Sequence, residues 1–243
     1  MQEAHLKRLY VKRLSVSVPL PAAAVAILIS SIFGITPIWM AFKHSLGHNV
    51  LSGNALNFNW PVAQLLRLRH AARFGGLVGG QATYIVTRSP EITLIPRLLF
   101  VLSYIITVVS FFKRDKSFEN MILFSLLGYL AYFTFNVGVH ENHLFLASIL
   151  SAILFWVNKR HLPSMVIVIL MTNINLVIFY GIDGMGLRFS RAIGGRLDTD
   201  LLLSLFNVSF FAFFWVANVL LDRNSVCSPG EASRAKTTAW PSE

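Results

Sequence analysis

The sequence predicts an all-α, polytopic transmembrane helix bundle of about six spans. Of its 243 residues, 55% are hydrophobic and only 13% are charged, where an ordinary soluble domain carries about a quarter charged residues. The mean hydropathy is +0.61, and the apolar residues come in long uncharged blocks, long enough to cross a bilayer as helices. Disorder, a coiled coil and a disulfide scaffold are excluded, because Cys227 is the single cysteine and has no partner within the chain.

The first block, 18–42, runs for 25 residues without a charge. At about 1.5 Å per residue it crosses a core of about 30 Å with tilt, and Pro37 is the expected site of a kink near its outer end. The basic start (Lys7, Arg8, Lys12, Arg13) invites a signal-peptide reading. The apolar block is too long for a signal core, however, and no small-residue cleavage site follows, so it reads as a retained span. Further spans are expected at 92–112, 120–138, 143–157, 162–181 and 200–221. Residues 1–222 then form one transmembrane domain, and 223–243, rich in Ser, Ala and Pro, form a disordered polar tail.

Lys and Arg number 21 against 11 acids, a formal net charge of +10. In a soluble protein that excess would point to nucleic acid. Here the basic residues sit in loops between apolar blocks, with no nucleic-acid motif, so the bilayer is the expected partner. With both termini cytoplasmic, Lys113, Arg114, Lys116, Lys159, Arg160 and Arg223 all fall on the cytoplasmic side. The outer segments are then 43–91, the short His140 loop and 182–199. Two of these are also Arg-rich, through Arg67, Arg69, Arg73 and Arg88, and through Arg188, Arg191 and Arg196. Such arginines belong either to an amphipathic helix in the head-group plane or to a phosphate site, which suits their planar fork. Gly75, Gly76, Gly79 and Gly80 permit close helix approach or a flexible turn. They are not a dinucleotide fingerprint, since no strand precedes them.

Two polar stretches stand out. In Leu51-Ser-Gly-Asn-Ala-Leu-Asn-Phe-Asn-Trp-Pro61, Asn54, Asn57 and Asn59 alternate with apolar residues beside Phe58 and Trp60. Amides bond hydroxyls and ring faces cover C–H surfaces, which is sugar-binding chemistry. The plainer reading is an interfacial turn, with Trp60 in the aromatic belt and Pro61 opening a helix. In Phe135-Asn-Val-Gly-Val-His-Glu-Asn-His-Leu-Phe145, the residues Asn136, His140, Glu141, Asn142 and His143 crowd a connection scarcely long enough to leave the membrane. Ionisable groups at that depth mark a functional site by default. Glu141 or a protonated His suits acid–base chemistry, and His140 suits a phosphate oxygen; the alternative is a loop whose His and Glu cap backbone groups. A zinc-protease motif would need a second His at 144, which is Leu144, so neither a metal nor another cofactor is expected. Asn173 and Asn175 read as bonds between neighbouring helices. The pattern Asn207-Val-Ser209 falls inside the last span, out of reach of glycosylation.

The Gly138-Val-His-Glu-Asn-His-Leu-Phe145 segment between apolar spans resembles the His-Glu motif of the type-C glycosyltransferases. It is most similar to the dolichyl-phosphate-glucose-dependent glucosyltransferases and to bacterial polyprenyl-phosphate-sugar mannosyltransferases. The Ser52-Gly-Asn-Ala-Leu-Asn-Phe-Asn-Trp60 stretch also looks like an outer-loop segment of the bacterial members. The resemblance implies a transferase on the extracytoplasmic face, passing a sugar from a polyprenyl-phosphate donor to an acceptor glycan or lipid without an obligatory metal. It implies a donor-phosphate role for His140 and an orienting role for Glu141, with Asn142, His143, Arg67, Arg69, Asn54 and Asn57 as substrate-binding candidates. An outer-face arginine would stabilise the departing phosphate. Members have about twice as many spans, and their base is an acid in the first outer loop. Here segment 43–91 holds one acid, Glu91, in no matching motif. The chain therefore reads as the carboxyl-terminal portion of such an enzyme, with no catalytic base assigned, and a bacterial inner membrane is expected ahead of the endoplasmic reticulum. A lipid-carrier flippase, a transporter or a non-catalytic subunit of a membrane complex is the rival expectation.

Overall fold

The structure is a computed structural model that describes residues 19–46, 51, 54–75, 90–181 and 199–221. Every regular element among them is helical. The expected polar tail at 223–243, the amino-terminal basic cluster, Gly76, Gly79, Gly80, Arg88 and the arginines at 188, 191 and 196 lie outside the described residues. The chain divides into two units, 1–48 and 49–243.

In the first unit, the expected span at 18–42 is two helices, α1 (Pro19–Phe33) and α2 (Ile35–Leu46). The break falls at Gly34, not at Pro37. Pro37 has no N–H to give the Phe33 carbonyl, so the helical ladder opens one turn before it. Gly34 takes φ +79°, a conformation a side chain would resist. At 15 and 12 residues, neither helix alone reaches across a core of about 30 Å at about 1.5 Å per residue.

The second unit contains α3 (Asn59–Arg69), α4 (Ala71–Phe74), α5 (Pro90–Phe112), α6 (Phe118–Phe135), α7 (Leu144–Val157), α8 (Leu162–Tyr180) and α9 (Thr199–Trp215), the last continued by a π-helical turn, Val216–Leu221. Four stretches are long and apolar enough to cross a membrane: Ile92–Phe112, Phe118–Phe135, Lys159–Tyr180 and Thr199–Leu221. They match four of the six expected spans to within a few residues and mark a membrane protein. The expected span at 143–157 corresponds to an apolar stretch shorter than those four, Glu141–Val157.

Helices α5, α6, α7 and α8 pack each on the next. Their connections, 113–117, 136–143 and 158–161, are short, as antiparallel neighbours require. Helix α9 returns to pack on α6 and α3, and its π turn meets α5. Helix α6 is the centre: 56% of its most apolar window is buried, against 17% for α5. Leu126, Leu127, Leu130 and Phe133 are wholly covered and form one core with Leu144, Leu154, Val168 and Phe211 from the other helices. On α5, Leu98, Leu102 and Ile105 face outward, as does Phe213 on α9, which suits a hydrocarbon surrounding. The aromatic run at 210–215 thus divides, Phe211 and Phe214 inward and Phe213 outward.

Local chemistry fixes the ends of α6. Ser117 caps its start, its Oγ accepting from the Asn120 N–H at 3.3 Å. Near the same end, Glu119 gathers three partners from the α7–α8 turn. Arg160 donates to Oε1 at 2.8 Å, His161 Nε2 lies 2.9 Å from the same oxygen, and the Asn158 amide donates at 3.1 Å. Asn158 also caps the turn that carries Arg160 and His161, accepting from the Arg160 N–H at 3.1 Å. At the other end the helix stops at Phe135, three residues short of the expected 138, because Asn136 turns to extended backbone, φ −68° and ψ 150°.

Candidate functional site

Beyond Asn136 the chain turns at Gly138, φ +67°, a value that favours glycine. Residues Glu141–His143 form a single 3-10 turn before α7. His140 and His143 close this turn reciprocally. The His140 N–H donates to His143 Nδ1 at 2.8 Å, and the His143 N–H donates to the His140 carbonyl at 3.1 Å. His143 Nδ1 also lies 3.1 Å from the His140 carbonyl, so the ring is held against the His140 backbone whichever nitrogen carries its proton. The two imidazole rings lie 6.0 Å apart. His140 is 40% exposed through its side chain, and Asn142 is exposed. Glu141 is 4% exposed. Its Oε2 stands 4.0 Å from His140 Nδ1 and has no hydrogen-bond partner. A buried carboxylate oxygen left unbonded is costly, so its retention is a mark of use rather than of stability. The expected cap is therefore only half the account: the histidines cap the turn, and Glu141 does not.

The Asn-rich stretch is drawn into the bundle instead of resting at its surface. The Leu56 N–H donates to Asn175 Oδ1 at 2.8 Å, and the Leu56 carbonyl accepts from Asn207 Nδ2 at 2.7 Å. The Phe58 N–H reaches the Thr134 carbonyl at 3.0 Å. Asn57 Nδ2 donates to the Phe133 carbonyl at 3.0 Å while its Oδ1 accepts from the Asn59 N–H at 3.0 Å. Asn59 Nδ2 donates to the Asn136 carbonyl at 2.9 Å. The segment thus supplies the partners that the last carbonyls of α6 lack. Asn175 is committed to this segment and not to a neighbouring helix, and exposed Asn173 bonds the Ile169 carbonyl of its own helix at 2.8 Å. Of the sugar-site candidates here, Asn57 is buried in a structural role and Asn54 is exposed. Trp60 is not in an aromatic belt at the surface: it is 6% exposed and stacks on Phe179, with ring centroids 6.2 Å apart.

Helix α3 continues beside this connection, since Ala63 and Leu51 pack with Val137, flanked by Val62 and Leu66. Arg67 and Arg69, two residues apart, point to different sides. Arg69 is exposed, while Arg67 is half-buried with its guanidinium folded towards Gly75. The structure does not join them into one phosphate cradle. Arg73 lies over the ring of Phe74 at 5.2 Å. The Glu91 side chain lies outside the described residues.

Several buried polar atoms of this region have no hydrogen-bond partner: Asn59 Oδ1, Trp60 Nε1, Glu141 Oε2, Asn175 Nδ2 and Ser204 Oγ. Donors and acceptors are both represented, as a hydroxyl-rich ligand would require. Among the described residues, no three His, Cys, Asp or Glu side chains gather to hold a metal ion. Asn59, Asn175 and Asn207 were within reach of sequence reasoning as polar residues in apolar surroundings. The Glu119 cluster gives no such signal, because its members lie in the first turn of α6 and in the α7–α8 turn, about 40 positions apart.

Fold and site together define a helical membrane protein with an incompletely bonded polar site at one end of its bundle. No known protein family, curated protein or solved structure matches the chain.

Proposed function

We propose that this chain belongs to a membrane sugar transferase, and that the His140 end of the bundle receives a sugar carried on a polyprenyl phosphate. The observation that carries the reading is Glu141, a buried carboxylate with an unbonded oxygen, in the same short turn as the imidazoles of His140 and His143. An imidazole N–H suits a phosphate oxygen, the carboxylate suits orientation of the imidazole, and the unpaired amide and indole groups nearby suit hydroxyls. In this reading the site faces the extracytoplasmic side, the membrane is the bacterial inner membrane, and Arg67 or Arg69 helps to hold the anionic lipid.

The test is transfer of radiolabelled mannose or glucose from its polyprenyl phosphate in membranes containing the protein. His140→Ala should lower transfer by about 100-fold or more, the scale of losing one positioned donor to developing charge, with unchanged folding. Wild-type turnover in that variant would remove the His-Glu segment from the mechanism. A second reading, a non-catalytic lipid-carrier transporter or complex subunit, is favoured by one observation: no acid stands among residues 43–75 to serve as a base. Uptake or flipping of the lipid without sugar transfer would establish it.

A further inference from the structure

Between α5 and α6 lies a cavity of about 550 Å³, lined by Tyr104, Phe111, Met121, Ser125, Gly128 and Tyr132 among others. That volume falls within the range of about 300–1,000 Å³ typical of ligand pockets. Gly128 is the point of closest approach in its lining. A Cβ there would stand 3.2 Å from the Tyr104 ring, which comes over the glycine from α5. The far wall is held in place, since Trp215 Nε1 donates to Thr107 Oγ1 at 2.8 Å and an Arg114 guanidinium N–H donates to the Asn218 carbonyl at 3.2 Å. Helix α5 is the least buried of the four long apolar stretches, so what reaches the cavity comes sideways from the hydrocarbon of the bilayer. From Met121 to Tyr132 the furrow follows α6 for about 16 Å at about 1.5 Å per residue, roughly half of a hydrocarbon core of about 30 Å.

One end of the furrow connects with the polar site. Tyr132 lines the cavity and meets the His143 ring edge-on, with centroids 5.7 Å apart. An apolar slot open to lipid thus runs up to the imidazoles of His140 and His143, whose ring N–H groups suit the anionic head of a molecule with a long hydrocarbon chain. We propose that the α5–α6 furrow seats the hydrocarbon chain of the lipid phosphate whose head group lies at His140 and His143. This rests on the proposed function, and names where that donor's chain lies.

The experiment uses the full chain in nanodiscs with a polyprenyl monophosphate bearing a photoreactive diazirine on its tail. Cross-links should concentrate on 104–111 and 121–132, and unlabelled polyprenyl phosphate, but not phosphatidylglycerol, should compete. Gly128→Leu should raise the half-saturating probe concentration about tenfold, equivalent to about 1.4 kcal/mol. Background labelling of the outward face of α8 (Val166, Leu170, Ile174) should not change, which reports an intact fold. If Gly128→Leu does not fold, Ser125→Phe fills the furrow from an exposed position and should give the same shift. Labelling spread evenly over α5, α6 and α8, or competition by phosphatidylglycerol alone, would overturn the proposal. Furrow labelling without sugar transfer would sink the transferase reading and leave the furrow intact. Transfer with labelling elsewhere would do the reverse.

Discussion

The two ends of α6 handle polar groups in opposite ways. At its start, Glu119 sits among Arg160, His161 and Asn158, its Oε1 accepting from Arg160 and Asn158 and lying 2.9 Å from His161 Nε2, and no buried side-chain atom of this cluster is without a hydrogen-bond partner among the described residues. About 25 Å away, at about 1.5 Å per residue, the other end gathers Asn57, Asn59, Trp60, Glu141 and Asn175, and there unbonded atoms remain. Charge and burial alone do not separate the two places, since both contain a His and a Glu. Unused bonding capacity does. A cluster whose donors and acceptors satisfy one another is spent on stability, whereas one that keeps some in reserve is available to a ligand, at a cost to the fold.

The first way to break this comparison is at the Asn-rich segment, because it shows that the His140 end also contains structural bonds. Removing both Asn175 and Asn207 as alanine leaves the N–H and the carbonyl of buried Leu56 without partners. At about 1–3 kcal/mol for each orphaned group, the loss should total about 2–6 kcal/mol. Thermal denaturation in detergent should show a large fall in Tm, with new protease cleavage near residue 56. A double variant as stable as the parent would mean that the segment is not held in the bundle by these amides.

Glu141 and Glu119 test the distinction itself. Replacing Glu141 by Gln keeps the shape while exchanging the buried carboxyl for a neutral amide. Stability should hold or rise by about 1 kcal/mol, and transfer should fall by about 100-fold. Glu119→Gln should do the opposite. With its carboxylate one quarter exposed, the loss is discounted to about 1 kcal/mol, and transfer per folded molecule should not change. Side-by-side measurement of Tm and transfer rate decides the matter: two variants that move together would erase the difference between the ends.

Much of the fold was legible because hydropathy is a local signal. The stretches 92–112, 162–181 and 200–221 are read from composition alone, and the structure moves their ends by only a residue or two. What was not legible depends on pairs far apart in the chain. Asn175 looked like helix glue because nothing near it in sequence announces Leu56, 119 positions earlier. The Glu119–His161 pair spans 42 positions, and neither the start of α6 nor the α7–α8 turn is unusual alone. Of the site, the His140–His143 segment was visible as ionisable residues between apolar spans. That its histidines cap the turn while Glu141 stays partly unbonded is a property of three-dimensional placement. In the first unit, Pro37 announces a disturbance in the sequence, but its missing N–H acts one turn back, where Gly34 absorbs it.

The smallest expected effect lies at the spent end. Ser117→Ala removes the cap of α6 and should cost about 1 kcal/mol. The Ser117 side chain is also the chief cause that holds the mostly exposed Asp115 carboxyl below its ordinary range. A lowered carboxyl contributes stability that is present above its unfolded pKa and disappears as pH falls through the folded one. The part of the loss that runs through Asp115 should therefore be full at neutral pH and shrink below about pH 4. Ser117→Asp, which caps through a carboxylate, should restore the helix start at neutral pH. An Asp variant as unstable as the Ala variant would show that the residue matters for something other than its cap. A change in transfer rate with either variant would mean that this end of α6 is coupled to the other, and that the contrast between a structural end and a working end is too simple.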